Sequence, residues 1–210
     1  GRFPDPLTRV DRTMPAWTTP ALRDAEARML AAERRGRGVL DPLVGPRTSS
    51  RILDHAEAQA QRSGFAWNAS QRMAASILLT SRDRVAALQG YAGTAKTTTV
   101  LATFAGAAAA RGYEVTAVAP TTTAARTLAE QIGAEPRTLQ GLLVDLQRQR
   151  LERVTTGPTQ SQVWIVDEAS LAGTRQLRQL LEAAERKDAR VLLVGDTAQL
   201  CSAARSLDTA

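Results

Sequence analysis

Apolar and polar positions follow two patterns along the chain, and the change falls near Arg84. Before it, apolar residues recur every three or four positions, which places them on one face of a helix. After it, short apolar runs alternate with longer segments of helical spacing, as in strand–helix–strand units on a parallel sheet. The sequence therefore predicts an α/β fold, a parallel sheet with flanking helices, preceded by a small helical segment.

These patterns define the expected elements and regions. Asn68 is the expected N-cap of the third helix, in which Met73, Ile77 and Leu78 are expected to face the core. The predicted helices span residues 21–35, 51–62, 69–80, 96–110, 123–131, 138–149 and 174–186, and the strands 85–89, 114–119, 163–166 and 190–194. The predicted regions are an extended, proline-rich linker (1–20), a helical segment (21–66) and an α/β domain (67–210).

Composition and charge narrow the class of protein. The single cysteine, Cys201, and the single histidine, His55, argue against a disulfide framework, a Cys-rich zinc site and a Ser–His–Asp triad. No apolar run reaches the roughly 20 residues of a membrane span, so we expect a cytoplasmic protein without one. The net charge is +6, and residues 1–84 carry fourteen basic and nine acidic residues. This surplus permits a nucleic-acid partner, but a general bias toward arginine explains it equally well.

A glycine-rich segment, GYAGTAKT, lies between the strand predicted at 85–89 and the helix predicted at 96–110. In this context, successive backbone N–H groups and the helix N-terminus surround the phosphates of a nucleotide. Lys96 is expected to neutralise the β- and γ-phosphates, and the Thr97 hydroxyl to coordinate Mg²⁺. The expected cofactors are ATP and Mg²⁺. The predicted nucleotide-binding residues of this segment are Gly90, Gly93, Thr94, Ala95, Lys96, Thr97 and Thr98.

The residue before this lysine departs from the usual pattern, Gly-x-x-x-x-Gly-Lys-Ser/Thr. Ala95 stands where the pattern has a glycine, which lets the backbone approach phosphate closely and adopt a positive φ. A Cβ at that position adds a steric cost. Ala95 is therefore either a tolerated variant or the mark of a site with weakened nucleotide affinity, and the sequence leaves both open.

Two carboxylates directly follow the apolar run VWIV. At the carboxyl edge of the sheet, Asp167 is expected to hold Mg²⁺ together with Thr97, and Glu168 to orient or deprotonate the attacking water. One strand later the sequence GDTAQ ends in Gln199, which is expected to reach the γ-phosphate. The predicted catalytic residues are Lys96, Glu168 and Gln199.

Together these segments resemble the first RecA-like domain of a superfamily 1 DNA helicase, a P-loop NTPase. Gln71 resembles the glutamine that contacts adenine in that family, and APTTTAA at 119–125 resembles the motif that touches single-stranded DNA. The resemblance implies an ATP-driven motor that binds single-stranded DNA without reading its sequence. The DNA-binding residues that it implies are Pro120, Thr121, Thr122 and Thr123.

A narrower resemblance is to the RecD-type 5′→3′ branch, and within it to the helicase part of conjugative relaxase–helicases. It rests on QGYAG at 89–93 and on ARTLAE and RTLQGLL between 125 and 143. It implies a second RecA-like domain after residue 210 and a relaxase domain before the motor in the parent protein. Without the arginine fingers of the second domain, we expect the chain alone neither to unwind DNA nor to hydrolyse ATP appreciably.

Two other functions stay open on the sequence. A non-hydrolysing domain of the same ancestry, binding single-stranded DNA or a partner protein, would account for Ala95. A small-molecule P-loop kinase would share the phosphate-binding segment, but the helicase-like segments at 119–125 and 195–199 argue against it. Whether the chain is itself an enzyme is left undecided.

Overall fold

The computed structural model describes residues 19–89, 95–151 and 161–195, without the side chains of 95–98. The predicted linker, except its last two residues, lies outside these ranges. So do Gly90, Gly93, Thr94 and Gln199. The described helices are α1 (Pro20–Arg35), α2 (Pro46–Arg62), α3 (Ala69–Thr80), α4 (Ala95–Ala110), α5 (Thr122–Ile132), α6 (Leu139–Leu151) and α7 (Thr174–Lys187). The strands are β1 (Val85–Gln89), β2 (Glu114–Ala119), β3 (Glu135–Thr138), β4 (Gln162–Val166) and β5 (Arg190–Gly195), and a 3-10 turn spans Ala169–Leu171.

The five strands form one sheet in the order β1-β5-β4-β2-β3, and every pairing is parallel. The apolar core on one face of the sheet is built with α2, α3, α4 and α5, and the core on the other face with α1, α6 and α7. Because both faces of the central strands are covered, β4 and β5 are almost continuously apolar. This architecture confirms the predicted α/β class.

The predicted elements are confirmed with small shifts at their ends, and one strand was missed. Asn68 caps α3 as expected: its side chain accepts a hydrogen bond from the N–H of Gln71. The second helix begins five residues earlier than predicted, at Pro46, a residue that fits the first turn of a helix because it needs no N–H partner there. The missed strand is β3, whose residues EPRT show no apolar pattern because it lies at the sheet edge and is largely exposed.

The predicted inward face of α3 is only partly right. Leu78 is buried, but Met73 is 65% exposed and Ile77 59% exposed. The helix packs against α2 and α4 through Ala75, Leu78 and Leu79, which occupy one face at helical spacing. Met73 and Ile77 are four residues apart and lie on the opposite face, so the choice of inward face at these two positions was wrong.

Two buried arginines hold the amino edge of the sheet. Arg190 opens β5, and its guanidinium donates to the carbonyls of Asp41, Ser81 and Asp83 at 2.7, 3.1 and 3.0 Å. Arg84 precedes β1 and contacts Asp188 at 2.7 Å, at the end of α7. Burial lowers the pKa of Arg190, although the neighbouring Tyr113 hydroxyl acts in the opposite direction. These arginines tie loops and helix ends to the strands at the edge opposite the predicted site.

An ion pair between Arg35 and Glu185 joins α1 to α7 and predicts a pH effect on stability. The hydrogen bond from Arg35 lowers the pKa of Glu185 below its ordinary value of 4.5. Because the folded pKa is the lower one, the pair stabilises the fold above pH 4.5, and this stabilisation disappears as the pH falls through the lowered pKa. We expect Glu185→Gln to lower the urea midpoint slightly at pH 7, and the difference from the wild type to vanish in acid. A difference that persists in acid would contradict this assignment.

Candidate nucleotide site at the carboxyl edge

The ends of four neighbouring strands meet at one edge of the sheet. The last residue of β1, Gln89, pairs with Gly195 at the end of β5, and the last residue of β4, Val166, pairs with Leu193 and Val118 of the flanking strands. Since all strands are parallel, the segments that leave them emerge side by side. In open α/β sheets ligands bind at this carboxyl edge. The segments predicted for nucleotide and DNA binding leave the sheet here.

Asp167 and Glu168 form a tight turn directly after β4. The N–H of Asp167 donates to the carbonyl of Val118 at 2.8 Å, which extends the pairing with β2 by one residue. The Asp167 Oδ1 atom accepts the N–H of Glu168 at 2.8 Å, so the turn itself orients this half-buried carboxylate. The sequence prediction that both carboxylates lie at the carboxyl edge is confirmed; their catalytic and metal-binding roles remain predictions.

Glu168 adopts a left-handed backbone conformation, with φ 51° and ψ 36°. This conformation costs a residue with a Cβ roughly 1 kcal/mol or more, and such outliers are concentrated at functional sites. It turns the chain into the 3-10 turn, where Ala169 is buried, and leaves the Glu168 side chain exposed. No signal in the sequence predicted this conformation.

Gly195 packs closely against that 3-10 turn. A Cβ at Gly195 would lie 3.3 Å from the backbone nitrogens of both Ala169 and Ser170, and its φ is +159°. Both the space and the backbone conformation therefore favour glycine. The contact joins the end of β5 to the turn after β4, so the segment that leads toward Gln199 starts directly against the acidic turn.

We expect Gly195→Ala to lower the free energy of unfolding by about 1–3 kcal/mol, because the added Cβ must displace the 3-10 turn. Urea unfolding measures the loss, and the amide resonances of Ala169 and Ser170 should move in NMR spectra. Gly106→Ala is the matched control. It lies in α4, where a Cβ meets open space, and alanine there should stabilise by up to about 1 kcal/mol. Equal effects of the two substitutions would contradict the packing argument.

The predicted DNA-binding segment follows β2 at the same edge. Pro120 is half-buried, whereas Thr121, Thr122 and Thr123 are exposed. The hydroxyl of Thr121 caps α5 by accepting the N–H of Ala124 at 3.2 Å. Thr122 and Thr123 lie in the first turn of α5 and present their side chains to solvent.

Gln71 lies at the start of α3, and its side chain takes part in a capping box. Its Oε1 atom accepts the N–H of Asn68 at 2.8 Å. The neighbouring Trp67 packs against the core, and its buried indole N–H has no hydrogen-bond partner among the described residues. The Oε1 atom of Gln71 is thus engaged in capping the start of α3. The predicted contact of Gln71 with adenine stays a prediction.

The described residues around the phosphate-binding segment fit a magnesium nucleotide. The helix α4 begins at Ala95, so Lys96, Thr97 and Thr98 belong to its first turn, at the carboxyl edge. Within the described ranges no group of three His, Cys, Asp or Glu side chains could hold a metal ion. Mg²⁺ needs no such cage, since it commonly binds one or two carboxylates and takes its other ligands from water and phosphate. Asp167 lies at the same edge of the sheet, and its role as the carboxylate ligand remains a prediction.

The first strand of this parallel sheet leads through a glycine-rich segment to a helix that begins AKTT, and a carboxylate pair follows β4. These features together define the class of P-loop NTPases. Comparison with family models gives the particular family: residues 66–206 match the model described as "AAA domain", and the chain belongs to that family. The comparison with curated proteins found no match. Among the described helices, none is long and apolar enough to cross a membrane.

Proposed function

We propose that this nucleotide-binding domain is the first motor domain of an ATP-dependent, 5′→3′ single-stranded-DNA translocase, as in the conjugative relaxase–helicases that its motifs resemble. In that role it acts with a second RecA-like domain and, in the parent protein, a relaxase domain. Bound ATP with Mg²⁺ supplies the phosphoryl group whose transfer to water drives movement.

One observation carries this proposal: the acidic turn is hydrogen-bonded to the strand that leads into the threonine segment. The N–H of Asp167 donates to Val118, and β2 ends one residue later, at Ala119, before Pro120–Thr123. A shift of the Asp167 turn on nucleotide binding is thereby passed to the exposed threonines. Threonine hydroxyls and backbone N–H groups at a helix start bind phosphate oxygens without reading the bases.

Each group in the proposed site is assigned one task. Lys96 neutralises phosphate charge, Thr97 and Asp167 hold the metal, and Glu168 accepts a proton from the attacking water. Gln199 is proposed to sense the γ-phosphate, as its motif implies. Thr122 and Thr123, with Pro120 and Thr121, hold the DNA backbone.

Binding measurements on the chain test this proposal. We expect a fluorescent ATP analogue to bind in the presence of Mg²⁺, and a labelled oligothymidine to bind at low salt with an affinity that changes when the analogue is present. Replacing both Thr122 and Thr123 by Ala should weaken oligothymidine binding roughly three- to tenfold, since each lost hydroxyl contact is worth about 1 kcal/mol or less. It should leave nucleotide affinity unchanged. Thr121 is kept, because it caps α5.

Thr48→Ala on α2 is the control, because Thr48 is equally exposed but lies in another element. Nucleotide binding without any DNA binding at low salt would contradict the motor proposal and favour the kinase alternative. DNA binding without nucleotide binding would favour the non-hydrolysing domain.

Ala95 bears on that last alternative. Since α4 begins at this residue, its backbone is helical and does not need the positive φ that favours glycine. We therefore expect Ala95→Gly to change the affinity for the ATP analogue by less than about threefold. A much larger gain in affinity would show that the Cβ obstructs the phosphates and would support the non-hydrolysing domain.

A further inference from the structure

A groove of about 350 Å³ runs between α6 and α7, on the face of the sheet away from α4 and α5. Its floor is apolar and is formed by Leu143 and Leu146 of α6 and by Ala183 of α7. Both helices connect parallel strands and run in the same direction, so the groove is bounded on both sides by helix surfaces. A hydrogen bond of 3.1 Å between the side chains of Gln176 and Gln140 joins the two helices near their N-termini.

The rim of this groove is positively charged. Arg150 and Arg186, from the last turns of the two helices, line it and have no ion-pair partner among the described residues. The third lining arginine, Arg178, is paired with the lining acid, Glu182, through contacts of 2.9 and 3.1 Å. The net charge of the lining is therefore positive, and the two arginines that lack an ion pair within the described part of the chain lie at one end.

Two apolar side chains of α6 are exposed, and one of them lies in the groove. Val144 lines the groove and is 54% exposed, and Leu151, one residue after Arg150, is 72% exposed. The other leucines of α6 are buried against the sheet, so these two are the apolar positions of the helix that face solvent. Apolar surface next to unpaired cations complements a ligand with apolar anchors and negative charge.

We propose that this α6–α7 groove binds an acidic amphipathic helix of a partner protein. The partner's apolar side chains pack on the exposed Val144 and over the groove floor, and its carboxylates pair with Arg150 and Arg186. Nucleic acid fits the groove less well, because its lining has no aromatic side chain on which a base could stack. The helices run opposite to the strands, so their last turns lie near the amino edge of the sheet, away from the proposed nucleotide and DNA segments.

The test uses the whole 210-residue chain and a fluorescein-labelled peptide of about 18 residues, with leucine at every third or fourth position and glutamate on the remaining faces. A scrambled peptide of the same composition, which destroys the apolar face, and a labelled oligothymidine are measured beside it. We expect saturable binding of the amphipathic peptide and at least about tenfold weaker binding of the scrambled one. Amide resonances of α6 and α7 should shift on binding.

Two variants and one control variant locate the binding. The double charge reversal Arg150→Glu with Arg186→Glu should weaken peptide binding at least about tenfold. The reversal Arg47→Glu with Arg62→Glu, at two exposed arginines of α2, changes the net charge equally and should leave binding within about twofold of the wild type. Val144→Ser should weaken peptide binding without altering the net charge.

Three results would overturn the proposal. They are the absence of saturable peptide binding, an equal loss in both charge-reversed variants, and equal binding of the scrambled peptide. If the α6–α7 reversal weakened oligothymidine binding and not peptide binding, the groove would be a nucleic-acid surface instead. Because nucleotide binding is measured separately, failure here leaves the proposed motor function untouched.

Discussion

Replacing Arg190 by methionine is expected to lower the free energy of unfolding by about 3–5 kcal/mol, although the substitution lies at the edge of the sheet opposite the proposed nucleotide site. The side chain is almost fully buried, and its guanidinium donates to three backbone carbonyls, those of Asp41, Ser81 and Asp83. Methionine fills a similar volume but donates to none of them. The loss arises because three backbone carbonyls lose their guanidinium donor, while part of the penalty is offset since a buried cation no longer has to be desolvated.

Urea unfolding of the wild type and of the Arg190→Met variant measures this loss of unfolding free energy. Arg82→Met is the matched control, because Arg82 is exposed and its nearest carboxylate oxygen, on Asp41, is 3.8 Å away. We expect that control to change the free energy of unfolding by less than about 0.5 kcal/mol. A similarly small change for Arg190→Met would mean that water replaces the guanidinium at the three carbonyls, and the amino edge would then not depend on Arg190.

Changing Asp167 to asparagine is expected to separate nucleotide affinity from magnesium dependence. In Mg²⁺, the affinity for the ATP analogue should fall about 10- to 100-fold, the range observed when a group that supports a metal ion through a water or hydrogen bond is removed. In EDTA the affinity should stay equal or rise slightly, because a negative charge facing the phosphates has been removed. Asparagine keeps the Oδ1 acceptor for the Glu168 N–H, so the turn should remain folded.

Fluorescence titrations of wild type and variant, each with Mg²⁺ and with EDTA, give the four affinities that this comparison needs. Glu130→Gln on α5 removes one exposed carboxylate elsewhere and should leave all of them unchanged. If Asp167→Asn weakened binding equally in Mg²⁺ and in EDTA, the carboxylate would act on the fold of the turn and not through the metal.

The fold class and most element boundaries followed from the sequence because buried parallel strands are short, apolar runs flanked by helices. The strands β1 and β2 and the helix α3 begin and end where predicted. The strand β3 could not be found in this way. Its pairing with β2 depends on backbone hydrogen bonds at an exposed edge, and its residues, including Pro136, carry no apolar alternation.

The candidate site was predictable in its placement and not in its geometry. Asp167 and Glu168 were placed at the carboxyl edge because they directly follow an apolar run, and the structure confirms that position. The left-handed backbone of Glu168 was not predictable, because glutamate seldom adopts a positive φ and the turn that it enters packs against Gly195, a residue of another strand. A periodic pattern also cannot tell which of two apolar faces is buried, as Met73 and Ile77 show.

In the described residues, the side chains that stabilise the sheet and the side chains that its loops expose lie at opposite edges of the sheet. The buried guanidinium groups of Arg84 and Arg190 stabilise the amino edge of the sheet, whereas exposed threonines and the exposed Glu168 carboxylate lie at the carboxyl edge. Substitutions at the exposed Thr122 and Thr123 can therefore alter ligand preference with little thermal penalty, whereas Gly195 at the same edge is needed for packing. At those exposed positions the fold is thus free to diverge in specificity while its melting temperature stays nearly constant.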